Sequence, residues 1–424
     1  MINLLESLKR ALYNLRSKLW YRPLSYSLIA ILWVYLCFLL QELDVNIHST
    51  KINIETVNSL LSIITGSMLA VIVFTVGSIV TAYNSASNSG TPRILSLLLR
   101  DNTSHDATSC FIGTFIYGVV ATVAIKSGIF DETGIFLIFL ITIAVFAWVI
   151  FTFIVWIDSI AKLGQVKTLM NKTESQALNA IQKYISDPYL GCNRLEKNKL
   201  PNNTKIIYAN EYGYLNGINI EGLNAYCKNA NIKLYITKHK GEHLACSEVL
   251  AHAKASKTLS DEQLSDIASY FTISTEKSFL DDPVFGVETL SEIAAKALSP
   301  STNDPGTAIH VIDAINRCLK KIFTESSQDH QINYEQLYLR EISIERFIKS
   351  SFEYIRVYGG GNIMVAKRIQ KSLIHISKHL NGQNKKVVLA YAKSCQKQAD
   401  DQLTYDFERK EFNDIVKELS KFES

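Results

Sequence analysis

LLSIITGSMLAVIVFTVGSIVTAY, residues Leu60–Tyr83, decides the fold. It contains no Asp, Glu, Lys or Arg, and it outlasts the roughly 20 apolar residues that carry a helix across a bilayer. A helix buried in a soluble core rarely stays uncharged over such a length. Working outward, three further runs have the same character: Leu24–Leu43 before it, and Ser109–Ile125 and Ile135–Ile157 after it. The last two are also free of acidic and basic residues. Four transmembrane helices are therefore expected within residues 23–160.

The rest of the chain is different. Over all 424 residues the apolar fraction is 47% and the charged fraction 20%, which excludes bulk disorder. Lys and Arg number 44 against 40 Asp and Glu, a net charge of +4 that leaves no dominant basic footprint for nucleic acid. The seven cysteines are scattered, odd in number and without a Cys-x-x-Cys pair, so neither a disulfide framework nor a zinc cage is expected.

Basic residues in short flanks set the orientation. Lys9, Arg10, Arg16, Lys18 and Arg22 precede the first span, Arg93 and Arg100 follow the second, and Lys162 and Lys167 follow the fourth. The two opposite loops hold only Lys51 and Lys126. Both termini are expected in the cytoplasm of a multi-pass plasma (inner) membrane protein. Within 1–22, Ile2, Leu5, Leu8, Leu12, Leu15 and Leu19 recur at helical spacing opposite the basic residues, the pattern of an amphipathic helix in the interface or packed on the soluble part.

In the second span Ser62, Gly66, Ala70, Gly77 and Thr81 line one flank, with Ser67, Thr75 and Ser78 beside it. Small residues let helices approach closely, and hydroxyls bond along or across helices. Tight packing within the bundle and the lining of a polar pore are both open. Ionisable groups, the usual sign of proton or ion coupling, are missing from spans two to four, which points to passive conduction if there is conduction. Between spans two and three, Pro92–Arg100 reads as a short helix begun by Pro92.

The cytoplasmic region reads as α+β. Residues 161–203 form a polar helical linker that ends near Ser186. Within 204–255, strand-like Lys205–Ala209 and Lys233–Thr237 flank a helical Glu221–Ala230, and a Lys240-Gly241-Glu242 turn leads to His243–Leu244 and Val249–His252. This suggests a small β-rich, barrel-like module, similar to a barrel-sandwich hybrid but without a lysine in carrier context. His239, His243, Cys246 and His252 crowd it at a spacing that fits no zinc pattern, so no metal and no cofactor is assigned. Residues 256–424 are expected to be helical. Phe285–Leu298 buries Val287, Leu290, Ile293, Ala294 and Ala297, and the C-terminal Phe407–Phe422 is amphipathic and suited to contacts between chains.

One joint stands out: Ser299-Pro300-Ser301-Thr302-Asn303-Asp304-Pro305-Gly306-Thr307-Ala308. Asp304 is a good N-cap and Pro305 fits the first helical turn. Ser299, Pro300, Asn303, Asp304, Pro305 and Thr307 could fix the angle between two helices, or hold an anion at a helix start. With Asp282, Phe285-Gly286, Leu290, Ile293-Ala294 and Ala297-Leu298-Ser299-Pro300, this stretch resembles the hallmark of a bacterial predicted membrane protein family, domain of unknown function 2254. Ser85–Ser89 with Pro92-Arg93, Ile157–Val166, and Phe352-x-x-Ile355-x-x-Tyr358-Gly359 resemble further segments of it. The chain departs from the family at Ser301, where Gly is usual, and at Ile273–Ser278, where Lys277 replaces an Arg and loses its bidentate geometry. The resemblance implies four membrane helices and a cytoplasmic domain; it supplies no reaction.

No Ser/His/Asp or Cys/His triad, Walker loop or dinucleotide fingerprint is present, so no catalytic residue is assigned. The lipid bilayer is the expected partner, with a homo-oligomer in the membrane. Two functions stand: a passive ion or small-solute channel regulated by its cytoplasmic domain, or a membrane-anchored sensor or scaffold whose cytoplasmic domain binds a ligand or protein.

Overall fold

The computed structural model describes residues 20–42, 52–98, 102–196, 200–279, 281–325 and 331–420. The amphipathic segment expected at the N-terminus lies outside them. Four helices are long and apolar enough to cross a membrane: α1 (Tyr21–Glu42), α2 (Ile54–Ser89), α3 (Asn102–Lys126) and α4 (Glu132–Leu163). Helices α2, α3 and α4 contain the apolar runs read from the sequence, and α1 holds the first run as far as Glu42. Between α2 and α3, Pro92–Ile94 forms a 3-10 turn continued by the short helix Leu95–Leu98.

These helices form one compact unit, which ends at Thr168. Inside it α3 is the most enclosed. Helices α1 and α3 approach so closely that a Cβ at Gly113 would lie 2.9 Å from the Cβ of Tyr26. Phe111, Phe153 and Trp156 pack edge to face or tilted between α3 and α4. The Tyr117 hydroxyl meets Thr142 Oγ1 at 2.9 Å, so a polar pair inside the bundle is satisfied.

The second unit runs from Leu169 onward. Its elements are α5 (Val166–Ser186), β1 (Cys192–Leu195), β2 (Lys205–Tyr208), β3 (Gly213–Ile218), α6 (Ile220–Asn229), β4 (Ile232–Ile236), β5 (His243–Leu244), β6 (Val249–Ala255), α7 (Asp261–Ser269) and β7 (Phe271–Ser274). Then follow α8 (Phe285–Ala297), α9 (Pro305–Thr324), β8 (Tyr334–Arg340), α10 (Ile344–Gly359), α11 (Ile363–Ser377), α12 (Gly382–Gln402) and α13 (Asp406–Ser420).

Five strands order as β1-β8-β4-β6-β2, with β1, β8 and β4 parallel and β6 and β2 antiparallel. A second sheet orders as β5-β3-β7. Both sheets are open, which corrects the barrel-like expectation. The reason lies in β8, a strand the sequence reading assigned to a helical region. Its Leu337 and Leu339 alternate inward, and it inserts between β1 and β4, so the five-stranded sheet has β1 and β2 as edges. Leu223 and Cys227 of α6 and Ile267 of α7 fill the core with Leu234, Ile236, Leu337 and Leu339.

Helix α8 packs through the stripe its spacing predicts. Val287, Leu290, Ile293 and Ala294 of α8 are fully buried. Gly286 lets α8 meet α5, since a Cβ there would lie 2.4 Å from the Cβ of Ala177. The C-terminal helix buries part of its apolar face within the unit, while Phe407 stays exposed. Phe412 of α13 is buried with Ala366, Ala399 and Leu403, and Val416 packs beside them.

Candidate functional site

Helix α2 divides its sides sharply. Val57, Leu61, Ile64, Met68, Thr75, Ala82 and Ala86 are buried. At 100° per residue these lie on one side. Roughly opposite are Ser62, Gly66, Ala70, Gly77 and Thr81, all exposed. A Cβ at Gly66 or Gly77 would meet nothing within 4 Å. The hydroxyls originally grouped together separate: Ser67 is exposed, Ser78 is half-buried and Thr75 is enclosed in the bundle. Ser67, Thr75 and Thr81 bond the carbonyls of Ile63, Val71 and Gly77 one turn earlier, at 2.7, 2.7 and 2.9 Å.

The joint between α8 and α9 is an exposed, internally bonded turn. Asp304 caps α9, its Oδ1 accepting from the Thr307 amide at 3.0 Å and its Oδ2 from the Thr307 hydroxyl at 2.6 Å. Those two bonds hold the Asp304 carboxyl below its ordinary pKa. Asn303 adopts φ 47°, a left-handed conformation that Asn tolerates. Its amide bonds the Ser299 carbonyl at 2.8 Å, and the Asp304 amide reaches back to Ala297 at 2.8 Å. Ser299 Oγ lies 3.2 Å from Ser301 Oγ and 3.3 Å from Thr302 Oγ1. Pro300 is exposed and Pro305 opens α9. The carboxylate of Asp304 already occupies the helix start, where an incoming anion would meet its charge.

A third constellation escaped the sequence reading. The loop after β4, residues 237–242, carries Lys238, His239, Lys240 and Glu242 at the carboxyl end of that central strand. Glu242 Oε1 accepts from the His239 amide at 3.1 Å and from Arg346 Nη1 at 2.8 Å. Lys238 pairs with Glu248 and lies 3.7 Å from Glu242 Oε2. His239 is 7% exposed, and its buried Nε2 has no hydrogen-bond partner. Burial first, and the Arg346 charge second, push its pKa down to about 3. The ring is therefore neutral at pH 7.

Beside it lies Asp282, 3% exposed. Its Oδ1 accepts from the Val284 amide at 2.9 Å, while Oδ2 has no partner. Burial pushes this carboxyl up to about 6, against the pull of Arg346. Lys277, at the position where the chain departs from the resembled motif, forms a buried pair with Glu288 at 2.5 Å. Its ammonium also stands over the rings of Tyr214 and Phe285 at 5.3 and 5.4 Å.

A cavity of about 620 Å³ opens on this loop, lined among others by Lys238, His239, Glu242, Arg340, Ser343 and Arg346. One signal in the sequence did point there. Arg346 sits in the first turn of α10, where the helix dipole disfavours a cation. Such a placement calls for a local anion, which Glu242 supplies from another element.

The histidines and cysteine weighed as metal ligands turn to separate partners. His243 packs on Tyr214, His252 Nδ1 lies 3.2 Å from Thr204 Oγ1, and Cys246 Sγ meets the Asn210 carbonyl. Among the described residues no group of three His, Cys, Asp or Glu could hold a metal ion. None of the seven cysteines is in a disulfide.

The motif residues thus have places: Phe285, Gly286, Leu290, Ile293 and Ala294 in a buried helix, Asp282 in the ionic centre before it, and Ser299–Thr307 in the joint after it. A family model described as Predicted membrane protein (DUF2254) matches residues 16–375. The chain belongs to that family. Comparison of this DUF2254 protein with curated proteins and with solved structures finds no match. The family description agrees with α1–α4 and says nothing of a reaction.

Proposed function

We propose that this membrane protein assembles as a homo-oligomer around α2 and forms a passive pore for ions or small solutes, regulated by its C-terminal unit. The observation that carries this reading is the face of α2 turned away from its own bundle. The outward faces of α1 and α4 carry Leu28, Leu32, Trp33, Trp148, Phe151 and Ile154, the bulky residues that suit lipid. The outward side of α2 also exposes Ile63, Leu69 and Val80, but among them the small Gly66, Ala70, Gly77 and Thr81 let a second helix or a column of water come close to the backbone. Exposed Val73 and Phe74 stand between the two glycines and suit a hydrophobic constriction. With no Asp, Glu, Lys or Arg in 60–83, conduction would be downhill. The Lys and Arg flanks favour an inner membrane with both termini cytoplasmic.

A planar bilayer holding the purified protein tests the proposal. Unitary currents altered by Gly77→Leu are the expected result; silence across voltage, tension and salt overturns it. One observation favours a second reading, a membrane-anchored sensor: the polar cavity beside His239, which is of the size small molecules occupy.

A further inference from the structure

The bundle of apolar helices has a slot on its outer surface. Helices α1 and α4 both lie against α3 and leave a gap of about 350 Å³ between them. The floor of the slot is buried: Ala30 of α1, with Cys110, Gly113, Thr114 and Tyr117 of α3. Its rim is exposed: Ile29 and Trp33 on α1, Ala144 and Trp148 on α4. Each rim pair is spaced four residues apart and so shares one face of its helix. The polar groups of the floor already have partners. The Tyr117 hydroxyl donates to the Ile138 carbonyl at 3.2 Å and meets Thr142 Oγ1 at 2.9 Å, and the Cys110 thiol lies 3.8 Å from Thr152 Oγ1. A water held in a cavity needs two to four polar partners, so the filling that fits is apolar.

The slot is long and narrow. Its lining runs from 26 to 33 on α1, from 110 to 117 on α3 and from 141 to 148 on α4, about 10 Å along each axis. The mean cross-section is then about 35 Å², well under the roughly 80 Å² of a helix 10 Å across. A helix from a second copy could cover the mouth but not fill it. A single hydrocarbon chain can.

The ends of the slot fix its depth. One turn before Tyr26 and Cys110 stand Arg22 and Asp106, paired at 2.6 Å, with exposed Trp20 beyond them. A charged pair next to a Trp marks the level of the lipid headgroups. Measured from that pair, the far end at Trp33 and Tyr117 lies about 16 Å in, close to half of a hydrocarbon core about 30 Å thick. The slot therefore runs from just inside one interface to the middle of the bilayer, within a single leaflet. That is the path of a lipid tail.

We infer that the slot binds one acyl chain of a membrane phospholipid, seated between Trp33 and Trp148 with its headgroup at the level of Arg22 and Asp106. The chain bridges α1 and α4 across α3. The inference stands apart from the pore, because the slot uses α1, α3 and α4 and its occupancy is read without current.

The test is tryptophan fluorescence of the full chain in dodecyl maltoside micelles, titrated with dioleoylphosphatidylglycerol brominated at its double bonds. Bromine quenches an indole it touches, and Trp33 and Trp148 flank the slot. The expected result is a saturable component of quenching at one lipid per chain, above a part that rises linearly with lipid content. Ala144→Phe, at an exposed rim position, should fill the slot and weaken the saturable binding tenfold or more while the lipid-free melting temperature stays unchanged. Trp148→Phe should shrink the saturable amplitude. Quenching with no saturable component in the wild-type chain would overturn the inference. So would a saturable component that Ala144→Phe leaves unaltered, or a loss in Ala144→Phe that goes with dispersal of an oligomer, since a second copy would then cover the slot. If Ala144→Phe does not fold, the smaller Ala144→Leu carries the same comparison.

Discussion

Gly241 stands so close to Asp282 that a Cβ at 241 would lie 1.6 Å from the Asp282 Oδ2. The same glycine has φ +79°, in the left-handed region. A turn in the loop after β4 and a buried carboxylate from the segment before α8 are thereby locked together. Gly241→Ala should lower stability by about 3 kcal/mol or more, combining backbone strain with a forced shift of Asp282. Denaturant unfolding of the purified chain would measure it; a loss under about 0.5 kcal/mol, the range of a neutral surface change, would contradict the packing.

The ionic centre should give stability two opposed pH dependences. Asp282 titrates near 6 in the folded chain, above its ordinary 3.8. Its contribution is complete below 3.8 and is lost as pH rises through 6, on the order of 3 kcal/mol. His239 titrates near 3, below its ordinary 6.5. Its contribution is complete above 6.5 and is lost as pH falls toward 3, by a few kcal/mol. Asp282→Asn should therefore steepen acid destabilisation between pH 6.5 and 4, and His239→Gln should reverse its sign. Melting temperatures across that window, variant against wild type, check both slopes.

Lys277 and Glu288 are each largely buried and matched to one another. Glu288→Gln alone strands the Lys277 charge between two aromatic rings and should cost about 3–5 kcal/mol. The double change Lys277→Met with Glu288→Leu should recover most of that loss, because two apolar side chains carry no desolvation penalty. A double variant no more stable than Glu288→Gln would show that the pair does more than neutralise charge.

Asp304→Ala removes both bonds to Thr307 and should destabilise the joint by about 1 kcal/mol. Asn303→Gly should be neutral or slightly favourable at φ 47°, whereas Asn303→Val should cost more than 1 kcal/mol. Denaturant unfolding of each variant checks these values.

On α2, cysteines placed at Gly66, Gly77 and Thr81 should react with a water-soluble thiol reagent in membranes if the helix borders a pore. A cysteine at Thr75 should not, since that position faces the bundle. Thr75→Leu is expected to lower the melting temperature, and Gly77→Leu to leave it unchanged, because Gly77 has open space where a side chain would go. Uniform protection at Gly66, Gly77 and Thr81 would favour direct helix packing between copies.

Much of the fold is local and could be read from the chain. The Leu60–Tyr83 run needs no partner to declare itself, since solubility in lipid depends on its own composition. Asp304 and Pro305 announce the start of α9 because a cap is made by residues within one turn. Strands β2 and β4 were visible through short β-branched runs. Strand β8 was not: Tyr334–Arg340 offers a single Leu-x-Leu alternation, Leu337 and Leu339, amid polar residues in a region otherwise helical. Its identity comes from pairing with β1 and β4, strands remote in sequence.

The sequence by itself determined the four apolar helices, the short helix begun at Pro92, the cap at Asp304 and the buried stripe of α8, because each depends on neighbours within a few turns. Only the tertiary structure decided that both sheets stay open, that Thr75 faces in while Gly66 and Gly77 face out, and that His239, Glu242, Asp282 and Arg346 converge. Those outcomes depend on pairing and desolvation between distant segments. The free energy of an ion pair or an orphaned imidazole is fixed by what surrounds it, and no local spacing encodes that environment.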